Sequence, residues 1–122
     1  TYQQLFNKHN LRFIFLVTPE TSEERIRKID SLTSGFLYAV SSSSTTGNNK
    51  AISDQSEYFK KLQDMQLKNP ILVGFGIKDK ATFQSACAYT NGAIIGSAYI
   101  KALQDSVNIH ASTKEFLNGV TT

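Results

Sequence analysis

The chain has 122 residues, 40% of them hydrophobic and 19% charged, enough for one small domain with its own core and unlike a disordered tail. Its net charge of +3 is spread over separate clusters (Arg25, Arg27 and Lys28; Lys60 and Lys61; Lys78 and Lys80) with no interleaved aromatics, which speaks against nucleic acid and suits a small anionic ligand. One cysteine, Cys87, excludes an internal disulfide, and no apolar run approaches the ~20 residues of a membrane helix.

Tyr2, Leu5 and Phe6 already have helical spacing, as in a helix under way, so the expectation is that sequence upstream is missing. Residues 11–17 are almost wholly apolar, which predicts a strand buried on both faces, ended by Pro19. Thr21 with Glu24 predicts a capping box, and Ile26, Ile29 and Leu32 the buried face of a helix that Gly35 stops. Residues 36–40 form the next strand, followed by the polar stretch 41–50. Asp54 and Glu57 open a helix whose apolar stripe is Tyr58, Leu62 and Met65, broken at Asn69-Pro70. A short strand at 71–73 leads into Gly74-Phe75-Gly76. Asp79 caps a helix with Phe83, Ala86 and Cys87 inward. Asn91-Gly92 turns the chain into a strand at 93–95, and Gly96-Ser97 begins a helical stretch. Phe116 and Leu117 mark a last, short helix.

Strand and helix alternate roughly four times, at about 20–35 residues per unit, which predicts an α/β fold with a parallel sheet. No linker divides the chain, so residues 1–122 are expected to form a single domain. Four βα units suit either half of a closed (β/α)8 barrel, typically ~250 residues when whole, or a small open doubly wound sheet.

Glycine falls just past three successive strand ends: Gly47 in a Ser/Thr loop, then Gly74 and Gly76, then Gly96 beside Ser97. In parallel α/β folds ligands bind at that face. Glycine lets backbone N–H groups approach an anion, and Ser97 adds a hydroxyl donor at a helix N-terminus. The acids Glu23, Glu24, Asp30, Asp54, Glu57 and Asp79 are expected at helix starts or on exposed faces, in capping and solubility roles. His9 and His110 lack partners at metal-ligand spacing, 41–44 is no nucleophile elbow, and Cys87 reads as a small core residue. The residues thus give a generic anion site, with no metal.

Several runs carry a sharper resemblance. They are Phe13-Ile14-Phe15-Leu16-Val17-Thr18-Pro19, Ser22-Glu23-Glu24-Arg25-Ile26 and Gly35-Phe36-Leu37-Tyr38-Ala39-Val40-Ser41, then Thr45-Thr46-Gly47, Gly74-Phe75-Gly76-Ile77 and Gly96-Ser97-Ala98. In this order they resemble tryptophan synthase alpha chains over essentially the whole chain. The resemblance implies the C-terminal half of a (β/α)8 TIM barrel, from an enzyme that cleaves indole-3-glycerol phosphate to indole and glyceraldehyde 3-phosphate in tryptophan biosynthesis.

It further implies that Gly47, Gly76, Gly96 and Ser97 hold the substrate phosphate and that Thr46 lies in a loop that closes over the site. Tyr38, Phe75 and Ile94 would wall the pocket. Ser42-Ser43-Ser44 replaces more varied residues of that loop in the family. The retro-aldol cleavage uses a glutamate and an aspartate that the family carries on earlier strands, so this chain is expected to hold no catalytic residue and to be inactive alone. The resemblance implies no cofactor here, pyridoxal phosphate belonging to a beta-chain partner, and a cytoplasmic location. A half barrel leaves two strand edges and an inner face uncovered, so self-association is expected. Two alternatives stand beside it: a non-catalytic half-barrel module that binds a phosphorylated metabolite, and another phosphate-binding barrel enzyme, as in histidine or thiamine biosynthesis.

Overall fold

Each strand sends alternate side chains to opposite faces, and the sheet's register decides which of them meet. The computed structural model describes residues 1–41, 55–74 and 76–122. In chain order the elements are α1 (Tyr2–Lys8), β1 (Phe15–Val17), α2 (Glu23–Leu32), β2 (Leu37–Val40), α3 (Ser56–Asp64), β3 (Ile71–Gly74), α4 (Lys80–Cys87), β4 (Gly92–Ala93), α5 (Ser97–Leu103) and α6 (Ile109–Thr121). The strands form one sheet in the order β1-β2-β3-β4, each pair parallel. This is the repeated βα unit expected from the sequence.

The register aligns Val17, Ala39, Val73 and Ala93 in one row. The first three are fully buried, in one core with Ile26 and Ile29 of α2, Phe59 and Leu62 of α3, and Ala86 of α4. The adjacent row is Leu16, Tyr38, Leu72 and Gly92. Its side chains point to the opposite face, where Leu16 is 57% exposed. Helices therefore cover one face of the sheet, and the other is open at the β1 edge.

Several elements differ from the sequence expectation. The first strand holds only Phe15–Val17. Before it, the Phe13 N–H donates to Ser34 Oγ at 2.8 Å, and the Phe13 ring stacks between Phe6 and Phe15. Ser22, not Thr21, caps α2: its Oγ accepts from the Arg25 N–H at 3.3 Å. Thr21 is engaged in the preceding turn, where its Oγ1 accepts from the Thr18 N–H at 3.0 Å. Leu32 is 40% exposed, at the last position of α2. In α3 the buried residues are Phe59 and Leu62, whereas Tyr58 is only half-buried. Asp54 lies outside the described residues, and Gln55 stands at the N-cap without a side-chain cap bond. The last helix is longer than expected, spanning Ile109–Thr121.

The largest departure is Asp30, expected to be solvated but only 7% exposed. Its carboxylate accepts from the backbone N–H of Lys68 at 2.7 Å, the N–H of Asn69 at 3.0 Å and the Asn69 side-chain amide at 2.8 Å. Asn69 Nδ2 also donates to the Asp30 carbonyl. One turn earlier, Arg27 Nη1 donates to the Met65 carbonyl at 3.3 Å. Two α2 side chains thus hold the α3–β3 connection. Burial pushes the Asp30 carboxyl up, but the Asn69 amide, the two backbone donors and the Lys68 charge together outweigh it and hold it below the usual carboxylate range.

A carboxylate whose folded pKa is depressed adds stability above its unfolded pKa, about 4, and loses it as pH falls through the folded value. Asp30→Ala leaves three donors without their acceptor and is expected to cost about 2–3 kcal/mol at pH 7 in urea denaturation. Asp30→Asn is expected to show a smaller loss of stability between pH 7 and pH 3 than the parent chain in the same assay.

Candidate functional site

A cavity of about 190 Å³ lies beyond the C-terminal halves of β2, β3 and β4. It is lined by Tyr38, Gly76, Ile77, Ile94, Gly96 and Ser97. Five residues singled out in the sequence, Tyr38, Gly76, Ile94, Gly96 and Ser97, therefore meet at one place. Thr46, Gly47 and Phe75 lie outside the described residues. Ile77 is an additional lining residue, buried immediately after Gly76. Its only sequence signal is its place in the Gly74-Phe75-Gly76-Ile77 run.

Backbone geometry explains the glycines. Gly76 has φ of 76°, the left-handed region that an L side chain adopts at a cost of roughly 1–2 kcal/mol. Gly74 meets a different constraint. A Cβ built there would overlap the Tyr38 ring and hydroxyl, so the ring occupies the space that the missing side chain leaves. Tyr38 and Gly74 sit on neighbouring strands whose register pairs Val40 with Gly74. The Ser41 N–H donates to the Gly74 carbonyl at 3.3 Å, holding the two strand ends together.

On the other wall, the Ile94 N–H donates to the Val73 carbonyl at 2.8 Å, extending the pairing past the end of β4. Ile94, one residue past Ala93, thereby faces the cavity side with the Tyr38 row. Gly96 is the N-cap of α5 and provides no side-chain cap bond to the first-turn N–H groups. Ser97 is the first residue of that helix, and the space a Gly96 side chain would fill is open.

Among the described residues, no Lys, Arg, His, Asp or Glu lines the cavity. The donors lining it include backbone N–H groups at a helix start and the Ser97 hydroxyl, a set that favours a compact oxyanion. The volume is below the roughly 300–1,000 Å³ of ordinary small-molecule pockets: room for a phosphate-ester head, not for an attached bicyclic ring. Two larger depressions, each near 400 Å³, lie on the helix side of the sheet. The α2–α3 one mixes acids and bases, and the α4–α6 one is apolar. Among the described residues, no group of three His, Cys, Asp or Glu could hold a metal ion, and no helix is long and apolar enough to cross a membrane.

Sequential parallel βα units with a small oxyanion-sized pocket at their strand ends define a segment of a βα barrel. The family model for the tryptophan synthase alpha chain matches residues 1–120, and the chain belongs to that family. It is similar to the tryptophan synthase alpha chain of Christiangramia forsetii, 54% identical over 106 residues, which are 86% of this chain and 41% of that protein. Tryptophan synthase subunit alpha from Campylobacter jejuni superimposes with a TM-score of 0.76 at 23% identity, covering 96% of this chain and 46% of the other. A tryptophan synthase a2b2 complex from Pyrococcus furiosus matches with a TM-score of 0.71 at 26% identity, covering 98% of this chain and 48% of the other. The chain spans about 41% of its curated relatives' length. Its fold is accordingly half of a (β/α)8 barrel.

The Tyr38–Gly74 approach predicts a specific coupling. Gly74→Ala is expected to destabilise by about 1–3 kcal/mol through overpacking. In a Tyr38→Ala background the same change is expected to cost less than 0.5 kcal/mol, and a double-mutant cycle by chemical denaturation measures the difference.

Proposed function

We propose that this chain supplies the phosphate-holding half of a tryptophan synthase alpha subunit, the subunit that cleaves indole-3-glycerol phosphate in tryptophan biosynthesis. Gly76, Gly96 and Ser97 hold the substrate phosphate, with Gly47 joining them from the loop after β2. Tyr38, Phe75 and Ile94 border the indole side, and Thr46 belongs to the loop that closes over it. The observation that carries the proposal is the meeting of Tyr38, Gly76, Ile94, Gly96 and Ser97 around one cavity at an uncapped helix start. An ester phosphate accepts from those N–H groups and from the Ser97 hydroxyl.

The chemistry is assigned elsewhere. Among the described residues no carboxylate lines the cavity to move a proton, and the glutamate and aspartate that act in the family belong to strands outside these 122 residues. On this basis the chain alone binds and does not cleave, and it works in the cytoplasm. It needs no cofactor of its own, pyridoxal phosphate belonging to the beta chain. The a2b2 assembly of the Pyrococcus furiosus relative supports a beta-chain partner for the whole subunit. The uncovered sheet face supports self-association of the 122-residue chain.

An NMR titration with inorganic phosphate and then indole-3-glycerol phosphate tests the binding role. Amide shifts are expected at Gly76, Gly96 and Ser97, with affinity reduced about 3–10-fold by Ser97→Ala, the equivalent of one neutral hydrogen bond. Saturating millimolar ligand with these amides unmoved contradicts the assignment. Release of indole by the purified chain alone contradicts the placement of the catalytic carboxylates.

A further inference from the structure

We propose that the backbone N–H of Ile77 is a further donor to the bound phosphate, and that its buried side chain is what holds that N–H in place. This extends the phosphate-holding role proposed for the cavity and rests on that reading.

Ile77 belongs to two environments at once. It is 5% exposed and is part of the apolar core that holds Val73 of β3 and Ala86 of α4. It also lines the cavity, together with Gly76, Gly96 and Ser97. A side chain committed to the core leaves the main chain as the polar part of Ile77 that the cavity meets. The donors between β3 and α4 point the same way. The N–H groups of Lys78 and Asp79 both donate to Thr82 Oγ1, at 3.0 and 3.1 Å, and the Thr82 N–H donates to Asp79 Oδ1 at 2.9 Å. Among the described residues, the Ile77 N–H meets no acceptor. Gly76 is exposed, so solvent serves its N–H. Ile77 is buried, and buried backbone N–H groups are almost always paired. A ligand oxygen in the cavity supplies the acceptor that the protein does not.

Local geometry suits an anion. Gly76 turns through φ 76° immediately before Ile77. A left-handed residue in a turn brings successive N–H groups onto one concave side, where an anion meets them together. Gly76 and Ile77 form such a pair after β3, alongside the Gly96 and Ser97 groups proposed above. One water oxygen serves a single N–H well, whereas a phosphate presents several charged acceptor oxygens to the whole set. The members of the set also differ in how they are held. Gly76 and Gly96 have no side chain to anchor them, but Ile77 is fixed by the core. Ile77 is therefore the donor whose position the fold sets most directly.

The test is an amide NMR titration of the full 122-residue chain with inorganic phosphate. The Ile77 amide proton is expected to move downfield, a readout that needs no variant. Replacing Ile77 by its α-hydroxy acid keeps the side chain and turns the N–H into an ester oxygen. That change is expected to weaken phosphate about 10–100-fold, the loss of one hydrogen bond to a charged acceptor. Without phosphate its denaturation midpoint is expected to match the parent's, because the N–H has no partner within the chain. The same replacement at Lys78 removes a bond to Thr82 Oγ1, and is expected to lower the midpoint and leave phosphate affinity within about twofold. An Ile77 amide that stays still while those of Gly76, Gly96 and Ser97 shift overturns the inference and leaves the phosphate reading standing. So does an Ile77 ester that binds phosphate as tightly as the parent. An ester that is destabilised without phosphate places the N–H in an internal bond and overturns the inference too. No shift at any of these amides in millimolar phosphate contradicts the phosphate reading, and the inference falls with it.

Discussion

The pairing of β2 with β3 is the constraint on which the rest depends, because it is fixed from both ends by unrelated interactions. At the N-terminal end, Asp30 and Arg27 of α2 hold the connection that delivers Pro70, whose carbonyl accepts from the Leu37 N–H at 2.9 Å. At the C-terminal end, the Ser41 N–H reaches the Gly74 carbonyl, and the Tyr38 ring fills the space over Gly74. A slip of one residue would exchange the buried row Val17–Ala39–Val73 with the row that carries Tyr38. The buried core and the cavity wall are therefore two faces of one register.

That arrangement explains a cavity with no charged side chain among its described lining residues. A lysine or arginine would supply more Coulomb attraction, yet it would need room that a cavity of about 190 Å³ does not have. Backbone donors need only glycine. Gly76 turns through φ 76°, and Gly96 leaves the start of α5 open. Oriented N–H groups lose no side-chain entropy on binding, so a modest set of dipoles serves where a flexible cation would first have to be ordered.

How much of this was legible in the sequence depends on how far each cause acts along the chain. The buried strand residues Leu37, Ala39, Ile71 and Val73 lie in continuous apolar runs, and glycine is required locally at Gly76, so both the parallel sheet and the glycines at its strand ends could be read. The limits of β1 could not, because the Phe13 N–H turns to Ser34, 21 residues away, rather than to a neighbouring strand. Thr21 and Ser22 are equivalent as caps until the Thr18–Thr21 turn claims one of them. Asp30 looks like any acid on a helix; its partners are 38 and 39 residues further on. The Tyr38–Gly74 approach is likewise invisible to a reading along the chain. The family resemblance did what local patterns could not, choosing the half barrel over an open sheet.

The same separation of causes bears on what half a barrel can do. The cavity-lining groups in this chain come from adjacent βα units and are positioned by contacts within it, such as Tyr38 on Gly74 and Ile94 N–H on Val73. Phosphate binding, as proposed, therefore draws on groups this chain positions by itself. Proton transfer at the substrate's other end asks for carboxylates held in a fixed relation to this cup, and a fixed relation requires the open row of Leu16, Tyr38 and Leu72 to be covered by something rigid. On the reading proposed above, the family's remaining strands supply that cover. The inner face thus decides whether the cup is only a binding site or part of an enzyme, and covering it meets the hydrophobic demand of its exposed side chains.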